Sequence, residues 1–199
     1  MKRLIILHFY CAVSIGNVQA QNKTEAVYHK GTNFISAGYG IGNIWRRLFV
    51  ETTNFPGGRY KITSKGPFCL TYEHGFSDRI SGGLILGYTG INRYFYYSTY
   101  TNSEKFSNFS ALARANYHFG RLDKFDPYAG IGLGYYKFKY SSNDGSGNSA
   151  PLDPVNIPAS FGYTVQAGAK YYFARSFAAF AEIGYLAGSF AQVGITVKF

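Results

Sequence analysis

Three features of the sequence predict an all-β fold. Apolar and polar residues alternate with a period of two along eight segments, the pattern of strands with one apolar face. Glycine (24 residues) and aromatic side chains (19% of the chain) are abundant, as in glycine- and tyrosine-rich barrels. Connections between the segments tend to be alternately long and short. Together these features predict an eight-stranded antiparallel up-and-down transmembrane β-barrel.

The first 20 residues predict a secretory signal peptide. Lys2 and Arg3 precede a mostly apolar run over residues 4–15, and Val18 and Ala20 supply small side chains before a cleavage site. We therefore expect a signal peptide over 1–20 and one barrel domain over 21–199. Cys69 is the only cysteine of that domain, which excludes an internal disulfide.

The rest of the chain contains no apolar run that approaches the ~18 residues of a transmembrane helix. If the mature chain lies in a membrane, it must form a closed barrel. Apart from the transmembrane helix, the closed barrel is the one structure that satisfies every backbone N–H and C=O in lipid. The formal net charge of +10 falls to +8 on loss of Lys2 and Arg3. No basic helix, RNA-binding aromatic motif or zinc-ligand spacing accompanies this charge, so we predict no nucleic-acid partner.

Strand boundaries follow from the alternation and from the turn residues between segments. The predicted strands cover 33–43, 67–76, 80–92, 108–119, 127–140, 160–173, 176–186 and 191–199. Three connections on one side, 44–66, 93–107 and 141–159, are long, whereas the fourth on that side, 187–190, is short. Residues 143–147 and 151–158 are predicted to lie outside strands because they are rich in Asn, Gly and Pro.

The fourth and sixth predicted strands indicate which solvent the apolar faces meet. Phe109 and Phe119 flank small alanines on one face of the fourth, and Phe161 and Tyr171 flank Val and Ala on the sixth. Ten residue steps at ~3.3 Å each and a tilt near 40° climb about 25 Å, the height of a lipid-facing apolar band. Aromatic rings at headgroup depth with aliphatic residues between them are typical of a bilayer environment.

A soluble β-sandwich or lipocalin-like barrel is the alternative, with its apolar face turned inward. That arrangement would place one set of glycines on a wet outer surface, where glycine weakens a strand. The set is Gly38, Gly40, Gly42, Gly130, Gly132 and Gly134. The spacing of rings and aliphatic residues would also be unexplained, so the membrane barrel is the preferred prediction.

With the rings outward, four charged residues fall near mid-height on inward faces. They are Glu73, Arg114, Lys170 and Glu182. Eight strands enclose a space that side chains nearly fill, so these charges are predicted to form an ion-pair network in the lumen. Inward aromatic residues favour a plugged interior: Phe34, Tyr128, Tyr136, Tyr172 and Phe180. The alternative is a gated path for protons or small ions along the same charges.

Four segments carry a resemblance to a known group of proteins. They are Leu84-Ile85-Leu86-Gly87-Tyr88, Pro127-Tyr128-Ala129-Gly130-Ile131-Gly132-Leu133-Gly134-Tyr135, Ala181-Glu182-Ile183-Gly184-Tyr185, and the alternating terminus Val193, Ile195, Val197, Phe199. With these motifs the chain resembles the small outer-membrane β-barrel superfamily that includes the OmpA transmembrane domain and OmpX-like proteins. The resemblance implies a bacterial outer membrane location and insertion by the barrel-assembly machinery. It also implies that the last four of these residues act as a C-terminal assembly signal.

The resemblance leaves the function open among several roles. We expect a monomeric, non-enzymatic protein with a structural or surface-binding role in adhesion or envelope integrity. A narrow porin-like channel or small-solute transporter is the alternative. A lipid A-modifying enzyme is the remote alternative. Such enzymes among the small barrels use a histidine with Ser, Asp or Glu near the outer rim, and this sequence places no histidine there. No peptidoglycan-binding domain follows the barrel, so we expect no tethering role.

Candidate catalytic and metal-binding residues are not evident. His29, His74 and His118 fall before the first strand or near the end of the barrel opposite the long loops, with no recognisable nucleophile motif beside them. Asn143-Asp144-Gly145 lacks the ligand series of a calcium loop. We therefore predict no catalytic residue, no metal and no cofactor.

The long connections are basic and aromatic. Their cations are Arg46, Arg47, Arg59, Lys61, Lys65, Arg93, Lys105, Lys137 and Lys139. Arginine and lysine suit phosphate oxygens, so Arg46, Arg47, Arg59 and Lys61 are predicted to contact the phosphates of lipopolysaccharide. The alternative is an ordinary solvated loop surface. Outer-membrane lipids and lipopolysaccharide are thus the expected partners.

Overall fold

The computed structural model describes residues 26–51, 59–98, 100–120, 122–143, 145, 152–156 and 160–199. The predicted signal peptide lies outside the described residues. The elements are β1 (Asn33–Ile41), α1 (Ile44–Glu51), β2 (Arg59–Gly75), β3 (Ile80–Tyr96), β4 (Thr101–His118), β5 (Phe125–Asn143), β6 (Leu152–Asn156), β7 (Ser160–Tyr172), β8 (Phe177–Leu186) and β9 (Ser189–Lys198). Within the described part of the chain, no helix is long and apolar enough to cross a membrane.

Eight of these strands form one closed antiparallel barrel. Hydrogen bonding runs in the order β4, β3, β2, β1, β9, β8, β7, β5, and β5 pairs with β4 to complete the circle. β1 pairs with β9, so the first and the last strand of the barrel meet in the wall. The predicted eight-stranded up-and-down barrel is confirmed. We call the end where β1 begins and β9 finishes the terminal end, and the opposite end the loop end.

Several strands continue beyond their predicted bounds at the loop end. β2 begins at Arg59 and β3 reaches Tyr96, where the two are still in register. The predicted loop over 93–107 is therefore mostly strand. The apolar face ends where the wall leaves the lipid-facing band, so the period-two signal fades although backbone pairing continues.

Two segments of the loop end have a secondary structure that was not predicted. Residues 44–51 form α1, whose first turn is capped by Asn43: its Oδ1 accepts a hydrogen bond from the Arg46 backbone N–H at 3.0 Å. The prediction of no strand over 151–158 was wrong for 152–156, because β6 pairs with the outer part of β5. The prediction for 143–147 was wrong at Asn143, the last residue of β5. Among the described strands β6 is the last in the hydrogen-bonding order and so lies at an edge, where a proline such as Pro154 is tolerated.

The two faces of the barrel strands are oriented as predicted. On β7, Tyr163 is 68% exposed whereas its neighbour Thr164 is 7% exposed. The same alternation on every barrel strand places large apolar side chains on the outer wall and small, polar or charged ones in the lumen. The alternative with the apolar faces turned inward is wrong.

Inward glycines make room for aromatic rings in the lumen. A Cβ added at Gly38 or at Gly194 would lie only 2.7 Å from ring carbons of Phe180. The Phe180 ring therefore fits against bare backbone on β1 and β9. This close approach explains why one face of these strands is glycine-rich although glycine is a poor strand former.

Candidate functional site

The four predicted interior charges meet across the lumen. Glu73 Oε1 lies 2.9 Å from Arg114 Nε, and Glu73 Oε2 lies 3.1 Å from Lys170 Nζ. The second carboxylate, Glu182, accepts a hydrogen bond from Arg114 Nη2 at 2.7 Å. All four side chains are buried, and two cations balance two carboxylates. The Arg114 Nε–H does not point along a hydrogen-bond direction, so its contact with Glu73 is an ion pair only.

Neutral groups complete this charged layer. Asn116 Nδ2 donates to Glu73 Oε1 at 2.8 Å and the Tyr128 hydroxyl donates to Glu182 Oε2 at 2.8 Å. The Lys170 ammonium lies 4.0 Å from the centroid of the Phe34 ring and 4.8 Å from that of Tyr128. Each charge therefore has several partners, which is the condition for burying ions at tolerable cost.

An apolar layer lies beside the charges toward the loop end. Its buried members are Cys69, Ile85, Leu112, Tyr136, Phe180, Leu186 and Ala187. Cys69 is the free cysteine expected from the sequence. A cavity of about 10 Å³ lies between the two layers, lined by Cys69 and Phe180 on one side and Arg114 on the other. That volume corresponds to about one water molecule at most.

The short β8–β9 connection closes the loop end. Ala187 is fully buried and its carbonyl accepts a hydrogen bond from Thr89 Oγ1 at 2.6 Å, so this turn bends into the lumen. Gly188 has a φ of 94°, and a Cβ there would collide with the Trp45 indole of α1. The Ile44 backbone N–H donates to the Gly188 carbonyl at 2.8 Å. α1 and this turn together form a lid.

Aromatic packing holds the lid in place. The Trp45 ring lies 5.2 Å from Phe106 and 5.3 Å from Phe138, centroid to centroid. Arg93 stacks over Phe49 of α1 and forms an ion pair with Glu104 inside the mouth of the barrel. Sequence analysis missed the lid because it assigned residues 44–66 to one long loop, and the eight residues of α1 make only two turns of helix. Trp45 and Phe49 of α1 pack against rings of other elements, which the local pattern does not show.

The segment before β1 seals the terminal end. Tyr28 is buried there and stacks on His118 with ring centroids 3.6 Å apart and an interplanar angle of 6°. Val27, Phe34, Tyr172 and Ala178 form the surrounding cluster. Burial, reinforced by the charge of Asp126, raises the pKa of the Tyr28 phenol, so this side chain stays neutral.

His118 has two polar partners that the sequence analysis did not identify. Its Nδ1 lies 2.6 Å from Asp126 Oδ1 and its Nε2 lies 3.0 Å from Ser81 Oγ. Sequence analysis found no nucleophile motif beside any histidine, but the fold brings the Ser81 hydroxyl and the Asp126 carboxylate to the two ring nitrogens of His118. Ser81 and Asp126 are 0% exposed and His118 is 1% exposed. The short connections between β3, β4 and β5 could have identified them, because they fix how these strands pair. In that pairing Ser81 lies opposite Asn116 and His118 lies opposite Tyr128, which brings Ser81 and Asp126 close to His118.

The cations predicted to contact lipopolysaccharide lie on two different elements. Arg46 and Arg47 are exposed on α1, where Arg47 pairs with Glu51 at 2.8 Å. Arg59 and Lys61 lie at the start of β2 on its outward face, where they pair with Tyr96 and Tyr94 of β3. Among the described residues, no hydrogen bond joins Arg46 or Arg47 to Arg59 or Lys61.

The last strand presents its alternating side chains outward. Val193, Ile195, Val197 and Phe199 are all exposed on the outer wall. The Phe199 and Asn33 backbones exchange two hydrogen bonds of 3.0 Å, which fixes the terminus at the seam of the barrel. No cluster of three or more His, Cys, Asp or Glu side chains suited to a metal ion occurs among the residues that the structure describes.

A closed barrel with an apolar outer wall and a polar, filled lumen defines an integral β-barrel membrane protein. The sequence profile of the family "Outer membrane protein beta-barrel domain" matches residues 7–197, and the chain belongs to that family. The resemblance drawn from the strand motifs is thus confirmed. No curated protein matches the chain significantly by sequence.

Solved structures of small outer-membrane barrels are similar to the chain over most of its length. Ail, the attachment invasion locus protein of Yersinia pestis, is 17% identical, with coverage of 85% of this chain and 99% of Ail and a TM-score of 0.43. The N-terminal β-barrel domain of Pseudomonas aeruginosa OprF is 17% identical, with coverage of 86% and 98% and a TM-score of 0.46. OprG from Pseudomonas aeruginosa is 14% identical, with coverage of 86% and 97% and a TM-score of 0.46.

Proposed function

We propose that the protein is a closed, non-conducting barrel of the bacterial outer membrane with a structural or surface-binding role in the envelope. The observation that carries this proposal is that the lumen is filled at three levels. The charged layer occupies the middle, the apolar layer and the lid follow toward the loop end, and Tyr28 with its cluster fills the terminal end.

Conduction would require several of these layers to open together. An ion that entered the charged layer would have to displace hydrogen bonds of 2.7–3.1 Å among Glu73, Arg114, Lys170 and Glu182. Beyond them it would meet apolar side chains and a cavity with room for about one water. A narrow channel therefore remains the less favoured function.

The Ser81–His118–Asp126 arrangement supports a structural role better than a catalytic one. Nucleophilic catalysis requires a substrate carbonyl to approach the serine oxygen. Ser81 is fully buried, and the stacked Tyr28 ring covers the imidazole of His118. Three buried polar side chains that hydrogen-bond to one another are an ordinary element of a lumen.

Export and assembly complete the proposal. A signal peptide cleaved after Ala20 would deliver the chain across the inner membrane, and the outward face of β9 would present Val193, Ile195, Val197 and Phe199 to the barrel-assembly machinery. Outer-membrane fractionation of the expressed full chain, together with mass spectrometry of its mature terminus, tests this part.

Conductance measurements test the closed lumen. Refolded protein, checked for folding by heat-modifiable migration on a gel, would be inserted into planar bilayers beside a general porin inserted under the same conditions. We expect no stable single-channel openings from this protein. Stable openings whose conductance changes on Arg114→Lys, but not on the exposed variant Arg47→Lys, would contradict the proposal and favour transport.

A further inference from the structure

We infer that a lysine-lined groove on the outer wall at the loop end binds the phosphate groups of an outer-leaflet lipid. The lysine groove is defined by Lys65, Lys105 and Lys139 with Gly90, Asn92 and Ser107. This inference rests on the proposed membrane location. It assigns lipid binding to residues other than Arg46, Arg47, Arg59 and Lys61.

Strand register brings these residues together. Lys65 pairs with Gly90 across β2 and β3, Gly90 pairs with Ser107 across β3 and β4, and Ser107 pairs with Lys139 across β4 and β5. The four residues therefore form one row across four neighbouring strands. Two small residues in the middle of this row, flanked by two lysines, leave a concave floor between cationic walls.

The next row toward the loop end adds the third lysine. Asn92 pairs with Lys105, and Lys105 pairs with Ser141. The space enclosed between the two rows has a volume of about 440 Å³ and is open to the outside. Ammonium, amide and hydroxyl groups that surround an open space of this size suit the several oxygens of a phosphorylated headgroup.

The position of the lysine groove along the barrel favours a lipid over a soluble anion. One row closer to the membrane middle, Phe68 pairs with Tyr88 and Tyr88 with Phe109, and all three rings are exposed outward. Such a row marks the membrane interface. Two residues at ~3.3 Å each and a tilt near 40° place the lysine row about 5 Å above the rings, at headgroup depth.

Among the described residues, no acidic side chain pairs with the lysines of the groove. Of the carboxylates on the described parts of β2 to β5, Glu104 is the nearest along the chain to Lys105, but it faces the lumen and pairs with Arg93. Lys65, Lys105 and Lys139 are exposed and form no ion pair with another described residue. The positive charge of this row therefore suits an anionic ligand.

Binding of diphosphoryl lipid A in detergent micelles tests the inference. The variant Lys65→Gln/Lys105→Gln/Lys139→Gln should bind at least about tenfold more weakly than the wild type, because it loses three charge-assisted contacts. The matched control Lys30→Gln/Lys124→Gln/Arg175→Gln removes the same charge from exposed positions at the terminal end. We expect the control to bind within about twofold of the wild type.

Two further probes identify the ligand. Lipid A without phosphates should bind the wild type as weakly as diphosphoryl lipid A binds the groove variant. Inorganic phosphate should compete only at concentrations far above that of lipid A. Equal losses in the two triple variants, full binding of dephosphorylated lipid A, or saturable displacement by phosphate at the lipid concentration would each overturn the inference.

Heat-modifiable migration of every variant ensures that a loss of binding reports the site and not the fold. Fractionation and conductance report the proposed function independently. A folded, non-conducting outer-membrane protein that fails the lipid A test would therefore refute the groove alone.

Discussion

Two groups of cations in this barrel occupy opposite surroundings. Arg114 and Lys170 are buried at mid-height, and each lies within about 3 Å of a carboxylate. Lys65, Lys105 and Lys139 stand exposed on the outer wall near the loop end, and none of them has an acidic partner among the described residues.

The two groups of cations show how burial decides whether a charge serves the structure of the barrel or is accessible to a ligand. A buried ion must be paired where it stands, because leaving it alone in a low-dielectric interior is costly. An exposed lysine is solvated and has little effect on stability, so its position is free to serve a ligand. Pairing inside the lumen fixes the interior charges in place, whereas the exposed lysine row is accessible to a ligand such as the lipid proposed above.

The largest expected effect comes from breaking the interior group. Glu73→Gln would leave Arg114 and Lys170 with a single carboxylate between them, and we expect a loss of about 3–5 kcal/mol in the free energy of unfolding. Urea titration in micelles measures it. The surface variant Glu51→Gln, which breaks only the exposed pair with Arg47, should leave the free energy of unfolding unchanged within the error of the titration. Equal effects of the two variants would contradict the distinction.

The seal at the terminal end sharpens the comparison, because it depends on ring packing and not on charge. Tyr28→Ala would remove the ring stacked on His118 and should cost about 3 kcal/mol in unfolding free energy. Tyr28→Phe keeps the ring and removes a hydroxyl that has no hydrogen-bond partner among the described residues, so its effect should be below about 1 kcal/mol. A large loss in Tyr28→Phe would mean that the hydroxyl has an essential partner.

Restoring charge balance should reverse part of the interior loss. Glu73→Gln/Lys170→Met keeps the Arg114–Glu182 pair and replaces the ammonium by an apolar group beside the Phe34 and Tyr128 rings. We expect the double variant to recover about 1–3 kcal/mol relative to Glu73→Gln alone. Additive losses in the same urea titration would show that charge balance is not the reason for the pairing.

The smallest stability effect is expected on the outer wall. Lys65→Gln/Lys105→Gln/Lys139→Gln should change the free energy of unfolding by about 0.5 kcal/mol or less in lipid-free micelles, since exposed and unpaired side chains contribute little. Thermal unfolding followed by the gel shift measures this. A loss as large as that of Glu73→Gln would show that the outer lysines belong to the structure of the wall.

Residues of the two groups also differ in how far the sequence could foresee them. The interior charges lie on inward faces at similar depths. The alternation of side chains and the position along each strand were therefore sufficient to predict that Glu73, Arg114, Lys170 and Glu182 meet. Lys65, Lys105 and Lys139 were assigned to loops because the apolar alternation had already ended. Their row exists only because β2 to β5 stay paired beyond the apolar band, and a one-residue shift would turn a lysine to the other side.

The sequence by itself determined the strand number, the closure and the face that each side chain occupies. It could do so because a period of two and the demand that lipid meet apolar side chains act locally on every strand. Tertiary structure alone decided that Ala187 turns into the lumen, that Trp45 covers it, and that Ser81, His118 and Asp126 converge. These contacts join residues on different elements, and their geometry depends on register and on the shape of the filled lumen, which no local pattern encodes.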